Sequence, residues 1–299
     1  MTSDPVKLGG PLDDSLIAAR PGPPWALLKF FLLTYAIMWA CFFSVAAMSA
    51  RTPGRGFLLL LGPFAPSLAA LWLTARADGS QGIRALLRRI LQWRVGAQWY
   101  LFAIGYMAVI KLTVALLHRA ITGSWPNFGR ELPGVILVAI VISAPFQAGE
   151  ELGWRGYALP RLVARFGLAR ASVLLGLIWA CWHLPQFFIR EADTFGQSFF
   201  VYVLQVTALS VAIAWLWART KGSLLLPMLM HAAVNNSKDI VPSATPGATT
   251  ILALNASLVA WLTVALLWIC AAYFLIRMSK MESAHKRRDD RSARKSTVA

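Results

Sequence analysis

Apolar residues run for close to 20 positions at a time along most of the chain, separated by short polar loops. That is the length a helix needs to cross a hydrocarbon core of about 30 Å. Eight spans are predicted, at residues 25–48, 57–75, 98–118, 132–159, 171–189, 197–218, 223–240 and 250–276. The second and seventh are weak. Gly62, Pro63 and Pro66 are expected to break or kink the second. Pro227, His231, Asn235 and Asn236 make the seventh too polar to face lipid. The expected fold is an all-α polytopic membrane protein, with about eight transmembrane helices enclosing a polar intramembrane site. Residues 25–276 form this domain, between a polar segment at 1–24 and a basic tail at 277–299 expected to lack structure. Residues 83–95 differ in kind. There Arg84, Arg88 and Arg89 alternate with Ile83, Leu86, Leu87, Ile90 and Leu91 at helical spacing, which reads as a basic amphipathic helix lying on the inner leaflet.

Composition removes the soluble alternative. Hydrophobic residues make up 58% of the 299 and charged residues 14%, against about 25% charged in soluble domains; mean hydropathy is +0.58. The net charge of +16 then points to cytoplasmic loops and anionic membrane lipids as partners, and no motif supports nucleic acid. Of the 29 Lys and Arg, 21 fall on one side of the eight-span layout (Arg155 among them) and 6 on the other, with Lys29 and Lys111 inside spans. This bias places both termini in the cytoplasm. The N-terminal stretch is polar through Pro24 and does not read as a cleavable signal. Cys41, Cys181 and Cys270 lack metal spacing and read as small core residues. No internal repeat is visible, which weakens a transporter built from inverted halves. The Ala-, Arg- and Trp-rich usage suggests a bacterial plasma membrane.

Ionisable groups inside a bilayer cost ~2.5–3.5 kcal/mol each on insertion scales, so each one asks for a function. Here they are Lys111 and His118 in span three, Glu150, Glu151 and Arg155 in span four, His183 in span five and His231 in span seven, with Asn235 and Asn236. Counted from the cytoplasmic ends at 1.5 Å per residue, Glu150, His183, His231 and Asn235 lie roughly 12–18 Å deep. One polar chamber opening to the cytoplasm is expected. Glu151 and Arg155 are spaced to pair, His231 and Asn235 share a face, and so do Trp179 and His183. No serine or cysteine sits in a nucleophile motif, and H-E-x-x-H is absent. A carboxylate out of water is a competent base near neutral pH. It can take a proton from a water that a histidine positions, while a second histidine and an amide donate to the oxyanion. That set suffices for peptide hydrolysis, and Glu and His are equally zinc ligands. Lys111 either snorkels or pairs with a carboxylate. Trp93 and Trp99 are expected as interfacial anchors.

Glu150-Glu151-x-x-x-Arg155, Trp179-x-x-x-His183 and His231-x-x-x-Asn235, in that order and at these separations, resemble the CPBP family of intramembrane proteases, which includes the type II CAAX prenyl endopeptidases and the Abi-type proteins. The resemblance extends over residues 56–240. It implies Glu150 as general base, His183 as its partner on the water, and His231 and Asn235 as oxyanion donors. Glu151, Arg155 and Trp179 are implied as supporting residues, with Trp179 standing where the family has Phe. No metal is expected to be required; a zinc-dependent variant would use Glu150, His183 and His231. The implied substrate is a CAAX-like tail or another membrane-associated peptide, and prenylated substrates are doubtful in a bacterium. The alternatives are a scaffold or bacteriocin-immunity protein that uses the chamber for binding, and an ion-coupled transporter with Glu150 as carrier.

Overall fold

A helix satisfies every backbone N–H and C=O within one segment, which lipid requires, and the chain uses no other regular structure among the described residues. The computed structural model describes residues 23–243, 254 and 256–298. The segment at 1–22 and the start of span eight therefore lie outside the described residues. Helices α1 (Pro24–Ala47), α2 (Arg55–Arg88) and α3 (Ala97–Thr122) come first. A broken rod follows: α4 (Pro133–Ser143), a 3-10 turn (Ala144–Gln147), α5 (Ala148–Glu151), a π-helical segment (Leu152–Ala158) and α6 (Leu159–Phe166). Then come α7 (Leu168–Trp182) with a 3-10 turn (Leu184–Phe188), α8 (Phe199–Arg219), α9 (Leu225–Ser237) with a 3-10 turn (Lys238–Ile240), and α10 (Leu258–Val298).

Among the described residues seven helices are long and apolar enough to cross a membrane. The eighth expected span is α9, whose 13 residues cover only about 20 Å at 1.5 Å per residue. It still carries the chain from face to face. Near its start Leu224 N–H donates to Arg89 O at 3.0 Å, and beyond its end Ile240 O accepts from Gly129 N–H at 3.1 Å. Its polar residues face protein: it packs against α3, α4 and α8, with His231 buried. The outer surfaces of the long helices instead expose large apolar side chains such as Leu101, Phe57 and Ile269. Those are the lipid-facing positions.

Several expectations need correction. Pro63 and Pro66 do not break α2; the break comes later, at Gly79, with φ 59° and ψ −152°. Only a residue without Cβ holds that conformation cheaply, and it turns the basic amphipathic segment away from the span. That segment is helical only to Arg88, not to residue 95. Beyond it the chain is pinned to the loop before α9, where Ser223 Oγ donates to Gln92 O at 2.8 Å. The tail beyond Arg277 is not unstructured, because α10 continues to Val298. Glu282 on α10 accepts from the N–H groups of Leu168 and Ala169 (the latter at 3.1 Å), which caps α7. Trp93 is exposed as an anchor should be, but Trp99 is buried. Cys41 is buried, while Cys181 is exposed among the outward-facing side chains.

Candidate active site

The stretch Ala148–Gly156 places its charged groups through an irregular backbone. Gly149, Gly153 and Gly156 turn toward α2 and α9, and the approach is closest at Gly153. A Cβ there would lie 2.4 Å from Pro66 Cβ and 2.5 Å from the Pro66 carbonyl. Close contact with α2 and the wide π turn from Leu152 to Ala158 occur together. Such π turns are rare and frequently mark functional sites. Glu150 and Glu151 end the preceding helix and point to different partners.

Glu151 and Arg155 are fully buried, with side chains 0% exposed, and pair at 2.9 Å. The same Glu151 oxygen accepts from His231 Nδ1 at 2.9 Å. An ionised carboxylate only accepts, so Nδ1 carries the proton; the His231 ring meets that of Trp179 edge-on, 5.2 Å away between centroids. Glu151 thus orients His231 across the fold. The sequence spacing shows its i,i+4 partner but not this one.

Glu150 is 13% exposed and belongs to the cavity. Its Oε2 accepts from Trp179 Nε1 at 2.7 Å and lies 4.0 Å from His183 Nε2. His183 Nδ1 sits 2.8 Å from Trp179 O. A carbonyl only accepts, so the proton is on Nδ1 and the Nε2 lone pair of the neutral ring faces Glu150. An oxygen atom about 2.8 Å from both atoms fits off the line joining them. Trp179 therefore does more than the aromatic packing expected of it. It donates to Glu150, meets His183 and His231 edge-on, and receives the Arg155 guanidinium 4.4 Å from its ring centroid. A Phe at this position gives no N–H.

Glu150, Trp179, His183, His231 and Asn235 line one cavity of about 500 Å³. The separate helices do bring the predicted groups together, with Glu151 and Arg155 behind its wall. Tyr202, Gln186 and Gln205 also line it and were missed from sequence. Tyr202 meets His183 edge-on at 5.6 Å. The available signal was Ser198, Tyr202 and Gln205 recurring on one face of an otherwise apolar helix. Asn236 donates to Ser143 Oγ at 2.9 Å, away from the cavity. Lys111 neither snorkels nor meets a carboxylate within bonding distance; buried, it donates to Ser243 Oγ at 2.6 Å and to Thr263.

The cavity is also lined by Glu191, Asp193, Thr194 and Lys238, in the loops that follow α7 and α9. Those loops lie on the face opposite the chain's basic loops.

The groups were also tested as a zinc site. Two ligands of one tetrahedral zinc lie about 3.4 Å apart, with metal–ligand bonds near 2.0–2.2 Å. Here Glu150 and His183 are 4.0 Å apart, and the nearer carboxylate oxygen is engaged by Trp179. Among the described residues no group of three or more His, Cys, Asp and Glu side chains is disposed to hold a metal. The donor set as arranged does not fit a closed zinc site.

Residues 130–237 match the family model described as Type II CAAX prenyl endopeptidase Rce1-like. The chain is also similar to a CAAX prenyl protease 2 of Methanococcus maripaludis, at 24% identity over 231 residues, which is 71% of this chain and 83% of the relative. The region matched by the family model holds Glu150, Glu151, Arg155, Trp179, His183, His231 and Asn235. Both comparisons bear out the resemblance to the CPBP-type proteases.

Proposed function

We propose that this integral membrane protein is an endopeptidase that hydrolyses a peptide bond with water activated by Glu150. The observation that carries the reading is the meeting of Glu150 and the His183 Nε2 lone pair at 4.0 Å in a cavity shared with His231 and Asn235. A water between Glu150 and His183 donates one hydrogen to each. As its oxygen bonds to the carbonyl carbon, Glu150 takes the proton. The carbonyl oxygen becomes an oxyanion and accepts from Asn235 Nδ2 and His231 Nε2. Because Nδ1–H is committed to Glu151, donation from Nε2 requires the doubly protonated ring. When the C–N bond breaks, Glu150 returns its proton to the leaving nitrogen, releasing an amine and a carboxylic acid, which then loses its own proton to solvent.

The substrate class is a membrane-associated peptide, with a CAAX-like tail as the example offered by the relative's name. The exposed Arg84 and Arg88 suit anionic lipid headgroups at the basic face; equal thermal stability in anionic and zwitterionic vesicles would argue against that contact. The test of the hydrolase reading is cleavage of a quenched peptide library by the purified protein. Glu150→Gln, His183→Ala and His231→Ala are each expected to abolish it. Cleavage that persists in all three removes the assignment.

A further inference from the structure

We propose that a second cavity, walled by α1, α2 and α6, binds a phosphoester: the headgroup phosphate of an anionic phospholipid or a soluble phosphate ester. It shares no lining residue with the Glu150–His183 cavity, and the proposal is independent of the hydrolase reading.

The bend in α2 shapes this cavity. Leu73, Thr74 and Arg76 line it from before the break at Gly79, and Leu86 and Arg89 from after it. The end of α2 is seated on the π-helical segment at Gly156, where a Cβ would lie 2.7 Å from Leu86 Cδ1. Trp25 at the start of α1 and Arg161 on α6 complete the walls. The volume is about 520 Å³, inside the range of roughly 300–1,000 Å³ usual for small-ligand pockets.

Charge says what the cavity suits. Three guanidiniums line it, those of Arg76, Arg89 and Arg161, against the single carboxylate of Asp78. Arg89 and Arg161 are half-buried. Among the described residues none of the three is in an ion pair. Two of them are held in place. Arg161 Nη1 donates to Tyr157 O at 3.0 Å, and its guanidinium lies 3.6 Å from the Tyr157 ring centroid. The Arg89 backbone is pinned through its carbonyl, which accepts from Leu224 N–H at 3.0 Å. Burial, and then the Arg161 guanidinium, push Arg89 below the usual arginine range. Like charges gathered out of water are costly, and an anion shared between them offsets that cost. A phosphate suits the position because its several oxygens can each accept from a different guanidinium fork. The remaining walls are apolar, with Leu73 and Leu86 buried and Trp25 55% exposed at the helix start. Basic pockets between membrane helices with such walls take lipid headgroups, so the lipid is the favoured source.

The test is a binding titration on the purified, delipidated full chain in neutral detergent. The probes are dioctanoyl phosphatidylglycerol, glycerol phosphate (no acyl chains) and dioctanoylglycerol (no phosphate). Saturable binding of phosphatidylglycerol alone is expected; equal binding of glycerol phosphate would support the site with a soluble ester as its ligand. Arg89→Gln and Arg161→Gln should each weaken binding by about tenfold or more. Ala85→Trp fills the cavity from an exposed lining position without removing a charge, and should abolish binding. Arg84→Gln and Arg88→Gln, exposed and outside the cavity lining, should stay within about twofold of wild type. If a half-buried arginine variant does not fold, Ala85→Trp and Arg76→Gln, both at exposed positions, decide the matter. The proposal is overturned if neither phosphate probe binds, if dioctanoylglycerol binds equally well, or if Ala85→Trp binds like wild type. Equal losses in the Arg84 and Arg88 variants would overturn it too, since attraction to surface charge would then explain the binding.

Discussion

Two adjacent glutamates are expected to fail in opposite ways when each is changed to glutamine. Glu150→Gln removes the base but leaves a side chain of the same shape, 13% exposed, that still accepts from Trp179 Nε1. Glu151→Gln removes the only charge, among the described residues, that compensates Arg155 at bonding distance, where both side chains are 0% exposed. Breaking a buried pair by removing one partner costs about 3–5 kcal/mol, because the other charge is stranded. For a chain of this size that corresponds to a fall in melting temperature on the order of 10 °C. Thermal unfolding of both variants in detergent, followed by tryptophan fluorescence, measures the difference; peptide cleavage is measured alongside. The expected result is an inactive Glu150→Gln protein that melts within about 2 °C of wild type, a shift worth ~1 kcal/mol or less. The Glu151→Gln protein should be clearly destabilised at every temperature of assay. If the two variants melt together, the division of labour between these side chains is wrong.

Three further outcomes follow from the same geometry. Trp179→Phe keeps the ring but deletes the 2.7 Å bond to Glu150; steady-state kinetics should show kcat lowered by about tenfold, worth ~1.4 kcal/mol of lost positioning, with KM little changed. Gly153→Ala drives a methyl to 2.4–2.5 Å from Pro66, so an unfolding measurement should show a loss of about 1–3 kcal/mol, typical of overpacking. Chelators should leave cleavage intact, since Glu150 and His183 are 4.0 Å apart and Trp179 holds the nearer carboxylate oxygen; inhibition reversed by added zinc would show that the site rearranges around a metal.

Much of this site was legible because lipid makes every polar side chain conspicuous. Glu150, His183, His231 and Asn235 stand out in apolar runs, and the cavity gathers all four. Local spacing also gave the Glu151–Arg155 pair. Contacts between distant segments were not legible in that way. Nothing near Glu151 in the chain announces His231, and nothing near Trp179 announces that its N–H would meet Glu150. The expected span over 223–240 runs past the helix, which ends at Ser237 and is followed by a 3-10 turn of Lys238, Asp239 and Ile240. The prolines of α2 do not break it. Pro63 and Pro66 each remove one backbone donor, yet the helix runs through both, and Pro66 packs against Gly153.

The central claim is that one water sits between Glu150 and His183, poised for attack. An experimental structure at a resolution that orders water, determined with a non-cleavable peptide analogue bound, tests it directly. The account predicts an oxygen about 2.8 Å from a Glu150 carboxylate oxygen and from His183 Nε2, facing the analogue's carbonyl carbon. A metal ion in that position, or Glu150 and His183 turned to separate surfaces, would contradict it.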